Sequence, residues 1–331
     1  MPALFALLLA TAHVHALQQP SLAAKIPRMV APVVNVRALE QHASSLPLIG
    51  HYLPKLARQS LGSGVIVDAS GLVLTNNHIV EGATVVKVSL SDEGAEPREY
   101  LARVIGHDKQ LDLALLEVAT DRPLPTVRMG NSSRLRVGDY VVAVGNPFGL
   151  AHTVTRGILS ARGRALGVGP EAPLLQTDAS INPGSSGGPL YDLDGRLVGI
   201  NVAIVEGAHG IGFALPVDFV RRAIPQLEHG GKIVRGSAGV AIGRVPSEVA
   251  DAEGLHHPGA FVEAVAPGGP ADAAGVQPGD VILRWDGEPV ESSDSLPWLI
   301  ALTPPGSRVS VHLLREGTEE RVDVELGAAA P

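Results

Sequence analysis

The stretch Gly184-Ser185-Ser186-Gly187-Gly188-Pro189-Leu190-Tyr191-Asp192-Leu193-Asp194-Gly195-Arg196-Leu197-Val198-Gly199-Ile200 decides the fold. Two serines stand among glycines, a composition that lets the backbone turn sharply while a side chain projects. A Gly-x-Ser-x-Gly cluster also fits the nucleophile elbow of a lipase or esterase. That elbow requires a helix after the serine, and its acid and histidine downstream. Here the cluster is followed by an apolar run, an Asp-Gly turn at Asp194-Gly195 and a second apolar run, which together read as a β-hairpin. The elbow fails on this context, and the serines belong to a β architecture.

Outward from the hairpin, short Val, Ile and Leu-rich runs recur on both sides. Upstream they cover residues 64–67, 72–75, 85–90, 102–106 and 113–118, with one earlier strand-like stretch at 30–36. After the Pro-containing segment 121–125 a second series follows at 140–145, 153–160, 174–177, 189–191, 197–203 and 212–214. Two clusters of short strands predict two barrels or sandwiches. Gly (38) and Pro (26) punctuate them in the manner of a turn-rich, mainly β chain. Val217, Val220, Ile224 and Leu227 then stand at helical spacing, with Gly230-Gly231 behind them, and this helix closes the first domain. Past Arg235 a separate short-strand pattern begins, with helix-forming pieces at 270–274 and around 295–302. The expected organisation is therefore an amino-terminal segment 1–26, a domain over 27–230 and a domain over 235–327.

Hydrolysis by a serine needs an imidazole to take the hydroxyl proton, a carboxylate to orient that imidazole and N–H donors for the oxyanion. Thr75-Asn76-Asn77-His78-Ile79-Val80 places a histidine at the end of an apolar strand, and Leu111-Asp112-Leu113-Ala114-Leu115-Leu116 places a carboxylate at the head of another. The chain order His, Asp, Ser is that of chymotrypsin. Alone, a histidine or an aspartate of this kind reads as a structural or turn residue. In this order, each inside an extended motif, the three read together as a triad.

These motifs, with Gln176-Thr177-Asp178-Ala179-Ser180-Ile181-Asn182-Pro183, resemble the HtrA (Deg) family of serine proteases, over nearly everything after residue 30. The resemblance implies a two-barrel, trypsin-like catalytic domain with Ser186 as nucleophile, His78 as general base and then acid, and Asp112 as orienting carboxylate. It implies an oxyanion hole from the N–H groups of Gly184 and Ser186, and Gly184 suits that place because no side chain restrains its turn. It further implies a pocket lined by Ile181, Ile204 and Ile211 for small or medium aliphatic side chains, and a regulatory role for Arg164 in the loop 161–173. The family has Asn before the nucleophile where this chain has Ser185.

The order of Arg235-Gly236-Ser237-Ala238-Gly239-Val240-Ala241-Ile242, Gly259-Ala260-Phe261-Val262 and Pro270-Ala271-Asp272-Ala273-Ala274-Gly275-Val276-Gln277-Pro278-Gly279-Asp280-Val281-Ile282 is similar to the family's single PDZ domain. Such domains take a peptide as an added strand and hold its carboxylate on backbone amides. Ser237, Ala238, Gly239 and Val240 would form that loop. Ser237 and Ala238 stand where the family has a bulky aromatic residue and a leucine, which predicts a shallower pocket.

The partners expected are unfolded polypeptides and peptide carboxyl termini, with a homotrimer implied by the resemblance. A holdase or PDZ scaffold, in which binding rather than cleavage matters, is the alternative. The formal charge of −8 without a run of Lys or Arg excludes a nucleic-acid footprint. No cofactor and no metal are expected: there is no Cys, and neither the adjacent His256-His257 nor His13, His15, His42 and His51 form a ligand set. The apolar run 3–10, followed by small residues at 10–12 and 14–16, reads as a short signal peptide, or otherwise as a remnant anchor associating with a membrane. A periplasmic or cell-envelope location is expected.

Overall fold

A computed structural model describes residues 21–41, 57–90, 97–146, 152–166, 171–204, 210–252, 259–290 and 292–329. Residues 1–20 of the expected leader, and the pair His256-His257, lie outside them. The first barrel is built from β1 (Val33–Gln41), β2 (Ala57–Asp68), β3 (Leu72–Thr75), β4 (Val85–Leu90), β5 (Arg98–Asp108) and β6 (Leu113–Val118), closed in the order β1-β2-β3-β6-β5-β4. A five-residue helix, α1 (Ile26–Val30), precedes it, so the strand expected at 30–36 starts at Val33. One helical turn, α2 (Asn77–Val80), follows β3. The second barrel uses β7 (Arg128–Met129), β8 (Tyr140–Gly145), β9 (Thr153–Arg164), β10 (Leu174–Thr177), β11 (Pro189–Asp192), β12 (Arg196–Ile204) and β13 (Gly212–Pro216). Its order is β11-β8-β9-β10-β13-β12, closed by the β11–β12 hairpin, with β7 appended to β12.

The strands that read as unbroken apolar runs are those buried on both faces. In β6, Ala114, Leu116 and Val118 point into the first barrel with Ile66 and Val73. Leu113 and Leu115 point the other way, into a cluster shared with Val142 and Val144 of β8 and with the helix α3 (Val217–Gly230). Period-two geometry thus divides one run between the barrel interior and the seam between barrels. β4, with only one face covered, alternates between buried and half-buried residues. α3 ends at Gly231, whose left-handed backbone (φ 69°) caps it, and the Gly231 carbonyl accepts the His107 N–H at 3.1 Å, docking the helix end on β5.

The third unit comprises β14 (Gly236–Ser237), β15 (Val240–Gly243), α4 (Ser247–Ala252), β16 (Ala260–Val265), α5 (Pro270–Ala273), β17 (Val281–Trp285), β18 (Glu288–Pro289), α6 (Leu296–Ala301), β19 (Arg308–Arg315), β20 (Thr318–Glu325) and β21 (Gly327–Ala328). Its main sheet runs β15-β16-β17-β19-β20, and β14 pairs with β21. The whole chain is mainly β: two six-stranded barrels and a PDZ-type unit.

One ion pair anchors the third unit from inside. Asp280 is buried at 1% exposure and takes Arg315 Nε and Nη2 on its two oxygens, both at 2.8 Å, with the Gln277 N–H at 2.8 Å on Oδ2. Removing the guanidinium leaves a buried carboxylate without its counter-charge. Arg315→Met is expected to lower the stability of this unit by about 3 kcal/mol. Both tryptophans of the chain, Trp285 and Trp298, lie in it, so urea unfolding followed by Trp fluorescence reads the loss directly. An unchanged midpoint and slope would contradict it.

Candidate active site

The site lies where the two barrels meet, and each of its side chains is placed by a short-range turn. Asp112 occupies the corner between β5 and β6 at φ 52°, in the left-handed region that aspartate tolerates better than most residues. Its carbonyl accepts Asn76 Nδ2 at 2.9 Å, and that bond holds a corner whose strain costs about 1 kcal/mol. The carboxylate then faces α2. Oδ1 accepts the backbone N–H of His78 at 2.8 Å, and Oδ2 meets His78 Nδ1 at 2.6 Å. Backbone and ring are thus fixed by the two oxygens of one group. Asp112 is buried, while the imidazole is half exposed and free to present Nε2 outward.

Two linked turns present the serines. In Asn182-Pro183-Gly184-Ser185 the Ser185 N–H donates to Asn182 O at 2.8 Å, with Pro at the second position and Gly184 at φ 96°, the arrangement of a type II turn. In Ser185-Ser186-Gly187-Gly188 the Gly188 N–H donates to Ser185 O at 3.0 Å, with Gly187 at φ 82°. Ser186 therefore sits at the outer corner of the second turn and is only partly buried, whereas Ser185 is buried. Among the described residues, neither the Gly184 nor the Ser186 N–H donates to an acceptor. Two unclaimed amides flank the serine, as an oxyanion site requires. The close approach that joins this loop to the histidine loop depends on Gly187. A Cβ there would lie 2.1 Å from Ser63 O, 2.5 Å from Thr75 Oγ1 and 3.2 Å from Asn76 N.

Of the three isoleucines expected to line a pocket, Ile204 ends β12, Ile211 immediately precedes β13, and Ile181 reaches the start of β13. Ile204 pairs in register with Gly212, the neighbour of Ile211, and the buried Ile181 side chain reaches 2.8 Å from where a Cβ at Gly212 would stand. The Ile204 side chain lies outside the described residues. Arg164 ends β9, exposed, with its Nε donating to Gln176 Oε1 at 3.1 Å.

Ser237 to Val240 line a groove of about 550 Å³ together with Ile242, Pro297 and Ile300. Ala238 is buried there, and Ser237 Oγ accepts the Gly239 N–H at 3.3 Å. Arg235, immediately before the loop, reaches across to the first barrel. Its Nη2 contacts both Asp108 oxygens at 2.8 and 2.9 Å, its Nε donates to Gln110 at 2.6 Å, and its guanidinium lies 5.4 Å from the Trp298 ring centre. Among the described residues no group of three or more metal-ligating side chains is found.

Three residues of the site carry no sequence signal of their own: Ser63 and Thr75 on strands, and Asn76 just before α2. They join segments up to 121 positions apart, and only the hydrogen-bond pattern reveals them.

A trypsin-like peptidase domain profile matches residues 62–200, and a PDZ domain profile matches residues 241–326. A probable periplasmic serine endoprotease, DegP-like, of Hahella chejuensis is 46% identical over 273 residues, 81% of this chain and 57% of that protein. A protein of the same description from Pseudomonas fulva is 45% identical, again over 81% of this chain and 56% of its own. The chain thus spans little more than half the length of these curated relatives. Among solved structures, the HtrA-type protease AlgW with decapeptide is similar over 94% of this chain and 100% of its own, at 36% identity and a TM-score of 0.63. The serine endoprotease from Yersinia pestis is similar over 94% and 99%, at 32% identity and a TM-score of 0.56.

Proposed function

The chain belongs to the HtrA-type family of serine proteases, and from that premise we propose that it is a serine endopeptidase acting on unfolded or damaged polypeptides of the cell envelope. The supporting observation is the imidazole held through backbone and ring by one buried carboxylate, across the barrel seam from a serine flanked by two free amides. In this reading Ser186 Oγ attacks the peptide carbonyl carbon as His78 Nε2 takes its proton, and the carbonyl oxygen, now negative, rests on the Gly184 and Ser186 N–H groups. The C–N bond breaks as the imidazolium returns the proton to the leaving amine. Water then enters by the same route and releases the acid.

The wider reading assigns residues 27–230 to catalysis and 235–327 to capture of peptide carboxyl termini on the Ser237–Val240 loop, which regulates cleavage. Ile181, Ile204 and Ile211 select aliphatic side chains, and Arg164, which the strand β9 takes in as its last residue, acts in regulation from the start of the loop that follows. A periplasmic location is part of the same reading, supported by the descriptions of the relatives. Membrane association through residues 1–26 and a homotrimer are part of the proposal and rest on sequence and family likeness. No helix among the described residues is long and apolar enough to cross a membrane. A pure holdase would have no use for an oriented imidazole.

Purified protein should cleave unfolded casein at neutral pH, and a fluorophosphonate should label the peptide containing Ser186. Intact casein together with an unlabelled Ser186 would defeat the proposal.

A further inference from the structure

Ser63 lies in β2 with no exposed surface, and two of its four polar interactions reach the serine loop. Its N–H donates to Ser186 O at 2.8 Å. Its Oγ donates to Gly184 O at 2.7 Å and accepts the Asn146 N–H at 2.8 Å. Its carbonyl accepts Thr75 Oγ1 at 2.7 Å, just before the histidine loop. The hydroxyl's single proton is therefore committed to Gly184, because the Asn146 N–H occupies a lone pair and can only donate.

Gly184 is the residue whose backbone is freest to rotate, at the third position of the type II turn. Its own N–H is one of the two unclaimed donors, and its carbonyl is the opposite end of the same residue. A carbonyl released from Ser63 would free the Gly184–Ser185 peptide plane to rotate, and the planes on either side of it, which carry the Gly184 and Ser186 N–H groups, would leave the direction the developing oxyanion needs. Because the bonds to Gly184 O and Ser186 O come from one residue on a rigid barrel strand, they fix the two oxyanion residues relative to each other.

We propose that Ser63 is a positioning residue for the oxyanion hole, holding the Gly184 and Ser186 amides in their productive orientation through the two carbonyls. The proposal rests on the endopeptidase reading above. It assigns Ser63 no contact with substrate.

The test compares Ser63→Thr with Ser63→Val, a pair of equal shape that differs in the hydroxyl, and adds Ser63→Ala. With a chromogenic peptide, the valine and alanine variants should lose about 100-fold in kcat with KM changed less than about twofold. The threonine variant should keep most of the parent rate. Affinity for a peptide boronic acid, whose tetrahedral adduct on Ser186 places an oxygen in the oxyanion site, should fall in parallel with kcat. Affinity for an uncleavable peptide of the same sequence should not change. Equal kcat for the Thr and Val variants overturns the proposal, as does an equal loss for boronate and uncleavable peptide, which marks a merely structural role. A parent protein that neither hydrolyses the substrate nor binds the boronate would remove the endopeptidase reading instead.

Discussion

Ser186→Ala is expected to lower the rate of casein hydrolysis by about 10⁶-fold without disturbing the fold. The size follows from what the hydroxyl does in the proposed reaction: without it no acyl-enzyme forms, and only the amides and substrate binding remain to assist direct attack by water. No neighbour can take over. Ser185 is buried, and its Oγ lies against the Asn182 N–H at 3.5 Å, on the inner side of the first turn. The fold should survive because the structural bond recorded for Ser186 is made by its backbone, the carbonyl that accepts the Ser63 N–H, and alanine keeps it. Casein gels and circular dichroism on the same preparation check both halves. A variant that cleaves within about 100-fold of the parent rate would assign the chemistry to another group.

The parts of this site that sequence reading reached are those carried by local pattern. β3, β4 and β6 begin and end at the residues their apolar runs indicate, because each run follows a polar or turn residue and is buried on at least one face. The hairpin after the serines was legible for the same reason: Gly195, with its φ of 71°, supplies the turn that Asp194-Gly195 announces. α2 was not legible. His78 reads as the end of a strand, whereas it sits in a four-residue helical turn, too short to show a 3.6-residue period. α4 escaped similarly, its six residues being rich in Ala and acids with no apolar stripe. Ser63, Thr75 and Asn76 were illegible for a different reason. A buried hydroxyl or amide acquires its role from a partner that folding brings in from 12 to 121 positions away, and no local spacing encodes that distance.

Asp112→Asn should cost about 10⁴-fold in kcat/KM, and the reason lies in the fixed donor beside it. The carboxylate presents acceptors to two N–H groups of the same residue: Oδ1 to the His78 backbone and Oδ2 to its ring Nδ1. An asparagine has one acceptor oxygen and one NH₂. The backbone N–H cannot become an acceptor, so the oxygen must turn to it, and the NH₂ is left facing Nδ1. The ring responds by keeping a lone pair on Nδ1 and its proton on Nε2, which is the atom that has to accept the Ser186 proton. The enzyme would be folded and substrate-competent, with its base in the wrong tautomer. Asp112→Ala lacks that NH₂, so it frees the tautomer while surrendering the orientation. The discriminating measurement is therefore the rate of fluorophosphonate labelling at Ser186 in parent, Asn and Ala variants, since this reaction also needs the hydroxyl proton removed. Labelling in the Asn variant at least as slow as in the Ala variant supports the tautomer argument. An Asn variant labelled at the parent rate would show that the 2.6 Å contact between ring and carboxylate plays no part in activating the serine.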